Sequence, residues 1–249
     1  MSIDQTRFEE AKKKILERER RREGIGTLAE KTVHAILKNY YEPDLSGQEV
    51  PVKGLIADIF TGKEIVEIQT RNFASLKKKL SVFLSLYPVT IVYPLPKKKW
   101  IIWIDPETGE CSEKRKSPKT GSPYDAFKEL YRIKEYLSHQ NLSIRVVFLD
   151  MEEYRLLNGW SRDKKRGSHR YDRIPLSIVE EMEFGCARDY MQLVPYGIEE
   201  PFDTKTFGKS AKIKQDRASQ VLNVLYHLGQ VDRVGKKGNA YLYRVKEDM

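Results

Sequence analysis

The 249-residue sequence predicts an α/β (α+β) protein, in which a mixed sheet flanked by helices precedes a small C-terminal domain of helices and one hairpin. Two observations predict this class. A helical stretch is followed by three short strand-like runs, and then by an amphipathic helix and a buried strand. The periodicity becomes mainly helical after about residue 176, where the smaller domain is expected to begin.

The N-terminal quarter is expected to hold two helices and three strands. Residues 7–23 are highly charged, with acids and bases at helical spacing, so a charged helix that faces solvent is the favoured interpretation of residues 1–25. A second helix, over 27–41, has a core-facing apolar stripe with Glu30 at its border. Strands are expected over 48–52, 55–60 and 64–70, and the turn Thr61-Gly62-Lys63 joins the last two into a hairpin.

The rest of the first domain alternates again between helix and strand. An amphipathic helix over 73–86 is followed by a buried strand over 89–93, and two further strands are expected to flank residues 106–109. A helix begins near Ser122-Pro123, where serine can cap and proline suits the first turn, and ends near His139. A strand over 143–150 ends this domain, which is assigned to residues 26–157.

Residues 158–175 are expected to form a basic loop, and 176–249 the smaller domain. A helix over 176–193 comes first. A shorter helix capped by Asp203 or Thr204 reaches Ala211, and a longer one capped by Asp216 ends at Gly229. Two strands then enclose a basic, glycine-rich hairpin tip.

Two acids are expected to converge near a strand end. Side chains repeat every two residues along a strand, so the hairpin brings Asp58 and Glu67 side by side, within segments that are otherwise apolar. Burying two unpartnered acids costs several kcal/mol per ion, roughly, and a divalent cation offsets that cost. Mg²⁺ in particular accepts one or two carboxylates while it keeps its waters. The alternative is that the acids at this edge, Glu64 and Glu67, simply face water.

The order helix, three strands, helix, strand, with Asp58, eight residues and then Glu67-Ile68-Gln69, resembles the PD-(D/E)XK nuclease superfamily. The resemblance covers roughly residues 26–95 and implies a restriction-endonuclease-like mixed sheet. It also implies metal-dependent hydrolysis of DNA phosphodiester bonds. The cofactor would be Mg²⁺ or Mn²⁺, bound by Asp58, Glu67 and the backbone carbonyl of Ile68.

The resemblance gives two further residues a role and contains one departure. Glu30 matches an acid that many members place near the metal, and Gln69 stands where the family usually has lysine. Glutamine can orient a water but brings no charge, although some restriction enzymes of the superfamily also use it. Lys77 or Lys63 could supply the cation. Because of Gln69, a non-catalytic DNA-binding regulator on a degenerate nuclease fold stays open as the alternative.

The C-terminal helix, turn, helix and basic hairpin resemble a winged-helix domain, which implies binding to double-stranded DNA. Basic and polar residues expected to contact DNA in this domain are Lys212, Lys214, Arg217, Gln220, Asn223, Lys236 and Lys237. In the preceding basic loop they are Arg162, Lys164, Lys165, Arg166 and Arg170. The alternatives are a solvated linker for the loop, a protein-interaction module for the domain and, for the N-terminal helix, an arm that also contacts DNA.

Composition limits the remaining classes. The net charge of +9 favours a polyanionic partner, and two distant cysteines suit neither a disulfide framework nor a zinc site. The charged N-terminus and the absence of a long apolar run predict a soluble cytoplasmic protein with no membrane partner. The histidines lack metal-ligand spacing. A homodimer would supply the two active sites that cutting both DNA strands often needs.

Overall fold

The computed structural model describes residues 3–22, 32–159 and 169–246. Its helices are α1 (Gln5–Arg22), α2 (Thr32–Tyr41), α3 (Lys77–Phe83), α4 (Phe127–Leu130), α5 (Thr204–Ser210) and α6 (Gln215–His227). Its strands are β1 (Gln48–Val52), β2 (Leu55–Phe60), β3 (Ile65–Ile68), β4 (Val89–Ile104), β5 (Arg115–Lys116), β6 (Leu142–Leu156), β7 (His169–Phe184), β8 (Val231–Lys237) and β9 (Ala240–Val245). Short 3₁₀ segments link several of them. In this part of the chain, no helix has the length and apolar character needed to cross a membrane.

The large sheet is mixed, and helices cover both of its faces. Its strand order is β1-β2-β3-β4-β6-β7, with β5 paired to β4. The strands β3, β4 and β6 are parallel neighbours, whereas β1, β2 and β7 join by antiparallel pairing. This confirms the predicted mixed sheet flanked by helices. The predicted order from α2 through β1, β2, β3 and α3 to β4 is also confirmed.

The N-terminal helix α1 is packed against the sheet, so the expectation that it faces solvent is wrong. Phe8, Ala11 and Ile15 are buried in one cluster with Ile36 and Leu37 of α2, on the face of the sheet that α2 covers. These three residues recur every three or four positions, which makes one narrow apolar stripe between the charged residues. Among the described side chains of α1, Lys13 and Lys14 are exposed beside this stripe.

The strands β4 and β6 are much longer than the predicted 89–93 and 143–150. Past the bulge at Pro96, β4 continues to Ile104 beside β6. This continuation of β4 takes the place of the first of the two strands expected to flank residues 106–109. The second of those strands is only the short β5. Because β3 ends at Ile68, opposite Val92, these long strands run on beyond it. We call this part, with residues 97–104, 150–156 and 169–175, the sheet extension.

The strand β7 replaces a predicted loop and a predicted helix. Residues 169–184 pair antiparallel with β6, so the loop expected over 158–175 is wrong for 169–175 and the helix expected over 176–193 is wrong for 176–184. Residues 160–168 of that loop lie outside the described part of the chain, and Ala187–Leu193 form a 3₁₀ helix. The helical pattern around Leu176 to Glu183 is overridden because Ile174, Ile178 and Val179 are β-branched and find a long partner strand. Pro175 is tolerated because β7 is an edge strand of the sheet.

The C-terminal helices and hairpin share a core with the other face of the sheet. Phe202, Phe207 and Leu222 lie in one apolar cluster with Phe83 and Phe127 of the layer that contains α3 and α4. Asp203 caps α5 as predicted, its carboxylate accepting from the Thr206 backbone N–H at 2.7 Å. The predicted cap of α6 is wrong, since the helix begins one residue before Asp216.

The helix predicted from Ser122 to His139 is broken into three pieces. It begins as expected, with Ser122 accepting from the Tyr124 N–H and Asp125 accepting from the Ser122 N–H. A 3₁₀ turn, the short α4 and a second 3₁₀ segment (Tyr131–Tyr136) follow. The helical face that results packs against α6.

Candidate active site where strands β2 and β3 part

The two predicted acids lie where the ladder between β2 and β3 ends. The last paired residues are Ile59 and Val66, and beyond them the strands separate. The Asp58 N–H donates to Glu67 Oε1 at 3.3 Å, and the Ile68 N–H donates to Asp58 Oδ2 at 2.8 Å. Each carboxylate therefore takes the place of a missing ladder acceptor, and the need to satisfy these backbone donors fixes both acids.

A lysine that the sequence analysis missed completes the pair. Lys79 Nζ lies 2.7 Å from Glu67 Oε2, and the Glu67 side chain is 2% exposed. The two lysines considered earlier lie elsewhere: Lys77 pairs with Glu135 on the surface at 2.6 Å, and Lys63 is in the exposed turn. No signal in the sequence singles out Lys79. It lies three positions after Leu76, at the border of the buried face of its helix, but Lys77 lies three positions before the buried Leu80, so spacing does not separate the two lysines.

A histidine of α2 contacts the other acid. His34 Nε2 lies 3.1 Å from Asp58 Oδ2, the oxygen that also accepts from Ile68. Asp58 Oδ1 has no hydrogen-bond partner within the described ranges and is therefore available to a further ligand. The predicted Glu30 precedes His34 by one helical turn in the sequence, but it lies outside the described residues.

The two carboxyl groups are electrostatically unequal. Burial opposes ionisation of Asp58, but the hydrogen bond and charge of His34, with the Ile68 N–H, lower its pKa below the usual value. Burial and the charge of Asp58 raise the pKa of Glu67 to about 7, more than Lys79 lowers it. Two acids held this close in a poorly solvated place favour the approach of a cation.

The donor set fits a hard divalent cation. Asp58, Glu67 and the carbonyl of Ile68 offer only oxygen, and Mg²⁺ uses one or two carboxylates with several waters. Within the described ranges, no three histidine, cysteine, aspartate or glutamate side chains form a group that could hold a metal. The site therefore offers an acidic pair, and a bound ion would keep much of its hydration.

Gln69 is close to the pair in sequence, but its amide points into the following turn. Its Nε2 donates to the carbonyl of Arg71, to the carbonyl of Asn72 at 3.4 Å and to Ser75 Oγ at 3.3 Å. Asn72 has a left-handed backbone with φ of 54°, which asparagine tolerates better than most residues. The structure therefore brings together Asp58, Glu67, Lys79 and His34, and directs the Gln69 amide away.

These groups line an open polar cleft of about 880 Å³ at the end of β3. Polar and charged side chains from α2, the start of β1, the residues after β3 and α3 line it: His34, Lys38, Asn39, Gln48, Glu49, Gln69, Thr70, Arg71, Asn72, Ser75 and Lys79. Lys38 also lines the cleft, with its Nζ 2.6 Å from Glu49 Oε1. Such a lining suits a charged substrate better than an apolar one.

The predicted DNA-contacting residues have different surroundings. Arg162, Lys164, Lys165 and Arg166 lie outside the described residues. Lys212, Lys214, Lys236 and Lys237 are exposed, and Gln220 is half-buried. Arg170 approaches Glu153 in the sheet extension, with Nε 3.4 Å from Oε2.

Two residues of α6 are engaged with the first domain. Arg217 donates to the carbonyl of Tyr124 at 2.8 Å and to Asp125 Oδ1 at 3.1 Å. Asn223 accepts from Lys134 Nζ at 2.8 Å. The face of α6 that the sequence analysis assigned to DNA is therefore partly covered by the chain itself.

The fold and the cleft define an α/β protein with a buried acidic pair at the split edge of a mixed sheet. The chain belongs to the family described as "Domain of unknown function (DUF8091)", whose model matches residues 31–185. The match contains Asp58, Glu67 and Lys79 and ends one residue after β7.

A relative from Treponema pallidum (strain Nichols), described as "Uncharacterized protein", is 32% identical over 161 residues. The match covers 64% of this chain and 64% of the relative, so it spans less than two thirds of the relative's length. No solved structure matches the chain.

Proposed function

We propose that the protein is a divalent-metal-dependent DNA endonuclease with a restriction-endonuclease-like, PD-(D/E)XK type of core. The observation that carries the proposal is the buried pair of Asp58 and Glu67, held where β2 and β3 part, with Lys79 on Glu67. The element order from α2 to β4 and the polar cleft at the end of β3 support it. The family match is silent on activity.

The reaction is hydrolysis of a phosphodiester, in which a water attacks phosphorus and the bond to one ester oxygen breaks. Asp58, Glu67 and the Ile68 carbonyl would hold the metal ion, which when bound neutralises charge and makes a water more acidic. His34 and the Ile68 N–H hold one oxygen of Asp58, which turns Oδ1 toward the ligand. These contacts position the acid before substrate arrives.

Lys79 supplies the positive charge that glutamine at position 69 cannot. Its side chain is 27% exposed and lines the cleft, while its ammonium group pairs with the buried Glu67. Negative charge grows on the phosphate oxygens as water attacks, and a cation held in place by a buried carboxylate stabilises it. Gln69, whose amide donates into the turn, has a structural role in this scheme.

The C-terminal unit would hold the DNA duplex in the manner of a winged helix. Two helices followed by a hairpin, with Lys236 and Lys237 exposed near its tip, support this part of the proposal. Because Arg217 and Asn223 are engaged within the chain, we assign the contacts to the hairpin and to Lys212 and its neighbours between α5 and α6. These contacts would be with phosphates and would weaken steeply with salt.

A plasmid-cleavage assay with Mg²⁺ or Mn²⁺ tests the proposal. Asp58→Asn, Glu67→Gln and Lys79→Met should each reduce the cleavage rate by about 100-fold or more. Glu64→Gln is the matched control, since this exposed acid lies in the same hairpin and should leave the rate unchanged. Cleavage that survives Asp58→Asn, or that needs no metal, would refute the proposed site.

The second candidate is a DNA-binding regulator that does not cut. Two contacts at the site favour this candidate. Glu67 is already paired with Lys79, and the Gln69 amide donates into the following turn, away from the acidic pair. Under this alternative the purified protein binds duplex DNA and shows no cleavage with either metal. A calorimetric titration with Mn²⁺ would then give no heat that depends on Asp58.

A further inference from the structure

A second charged cluster lies in the sheet extension, around Glu153 of β6. The Glu153 side chain is fully buried, and its carboxylate meets four basic side chains. Oε2 lies 3.0 Å from Lys99 Nζ, 3.1 Å from Arg173 Nε and 3.4 Å from Arg170 Nε. Oε1 accepts from Arg155 Nε at 2.8 Å. We call these five residues the Glu153 cluster.

The Glu153 cluster contains more positive charge than its own acid can neutralise. One carboxylate faces four cations, so the five side chains carry a net charge of +3 in a half-buried place. Burial is the main cause that lowers the pKa of Lys99; the charge of Glu153 opposes it, and the charges of Arg173 and Arg155 add to it. An ion pair needs only one cation, whereas the described ion pairs of Lys99, Arg155 and Arg173 all go to Glu153, and this surplus calls for a different explanation.

The chemistry of the cluster suits a phosphate group. Arginine carries five N–H donors in a planar fork, and Glu153 uses one donor of Arg173 and two of Arg155. Forks that are already oriented by a buried acid lose little freedom when they bind a second anion. The side chains of Lys99, Arg155 and Arg173 are 18 to 24% exposed, so they remain within reach of a ligand.

The cluster adjoins the cleft of the acidic pair. Arg173 and Thr70 line one small cavity, together with Val33, Pro94 and Met151. Thr70 also lines the large cleft at the end of β3. A polyanion whose one phosphate lies beside Asp58 and Glu67 would therefore meet the cluster along the sheet extension.

We propose that the Glu153 cluster binds a backbone phosphate of double-stranded DNA, next to the segment that enters the cleft. The choice of DNA as the ligand rests on the proposed function. Glu153 has the role of a positioning residue: it orients the guanidinium groups and keeps four like charges together. The Glu153 cluster then binds the duplex at one position, and cleavage takes place at another, beside Asp58 and Glu67.

Binding is measured without cleavage, by fluorescence anisotropy of a labelled duplex of mixed sequence in EDTA over a series of salt concentrations. The variants are Lys99→Gln and Arg173→Gln. Each leaves three cations to pair with Glu153, so folding should survive, and thermal unfolding checks this. Lys128→Gln, an exposed lysine of α4 on the other face of the sheet, is the matched control. Inorganic phosphate is titrated as a competitor.

We expect each cluster variant to weaken DNA binding about tenfold and to reduce the slope of log K against log salt by about 0.9, the loss of one phosphate contact. Glu153→Gln, where thermal unfolding shows that it folds, should also bind DNA less tightly than the wild type, because the guanidinium groups lose the carboxylate that orients them. Cluster variants that bind like Lys128→Gln would overturn the proposal. So would displacement of the DNA by millimolar inorganic phosphate at constant ionic strength, which would indicate a site for the free ion.

The proposed DNA contact of the Glu153 cluster and the proposed nuclease activity can each be refuted independently of the other. Loss of metal-dependent cleavage in Asp58→Asn tests only the acidic pair, whereas the anisotropy measurement in EDTA tests only the cluster. A wild-type protein that cuts DNA, with cluster variants that bind normally, overturns the cluster alone. A wild-type protein that binds through the cluster and never cuts overturns the nuclease alone.

Discussion

Glu153 should make the stability of the protein depend on acid pH. Burial opposes its ionisation, but Arg173, Lys99, Arg155 and Arg170 outweigh that effect and lower its pKa from the ordinary value of 4.5 to about 2. A carboxyl group whose pKa is lower in the folded state stabilises the fold above its unfolded pKa. This contribution is therefore complete above about pH 4.5 and is lost as the pH falls toward 2.

The size of the effect follows from the pKa difference. Each unit is worth about 1.4 kcal/mol, so the ionised carboxylate contributes about 3 kcal/mol to the free energy of unfolding near neutral pH. The Glu153 side chain is fully buried and its four partners are 18 to 39% exposed, so solvent screens these interactions less than it screens a surface ion pair. Glu153→Gln keeps the shape and removes the charge, so it should lose about this amount at pH 7.

Urea unfolding of the wild type and Glu153→Gln at pH 7, 4 and 3 measures the difference. We expect a gap of about 3 kcal/mol at pH 7 that narrows steadily as the pH falls through the range from 4.5 to 2. Glu113→Gln is the control, since Glu113 is exposed and should show no gap at any pH. A gap that is absent at pH 7, or that stays constant down to pH 3, would refute the account.

Three further predictions concern the site, the core and the hairpin. Lys79→Met should abolish metal-dependent cleavage in a plasmid assay, whereas Lys77→Met, a surface lysine of the same helical turn, should cut at the normal rate. Phe207→Ala should cost about 3–5 kcal/mol in urea unfolding and leave a single transition, because this fully buried ring belongs to a core shared with the sheet; two transitions would contradict it. Lys236→Gln with Lys237→Gln should weaken DNA binding and flatten its salt dependence while the melting temperature stays unchanged.

The local parts of the fold could be predicted from the sequence because their signals are local. The turn at Thr61-Gly62-Lys63 fixes the hairpin of β2 and β3, and the apolar stripe of α3 fixes its inner face. The strand β7 could not be predicted in the same way. The spacing of its apolar residues is compatible with a helix. It is a strand because it pairs with the long strand β6, and the sequence pattern of β7 alone does not reveal that pairing.

The candidate site likewise has one part that the sequence predicts and another that it does not. The meeting of Asp58 and Glu67 follows from alternation and from the hairpin, both of which are readable in the sequence. The contacts of Lys79 and His34 depend on how α3 and α2 lie across the sheet, which no local pattern specifies. A lysine at position 69 would have been found at once, but a lysine ten residues later needs the packing of a helix to reach the same carboxylate.

One mismatch in strand length connects the cleft with the Glu153 cluster. Because β3 ends at Ile68 while β4 continues to Ile104, the sheet has an open place beside β3 and a long wall beyond it. Because the ladder between β2 and β3 ends at Ile59 and Val66, the backbone donors of Asp58 and Ile68 are left to the two carboxylates, so negative charge is concentrated there. The wall gathers positive charge around Glu153. In a duplex that lies along this wall, the cations around Glu153 would bind one phosphate, and another phosphate would lie beside Asp58 and Glu67. Affinity and hydrolysis would then depend on different residues of one sheet.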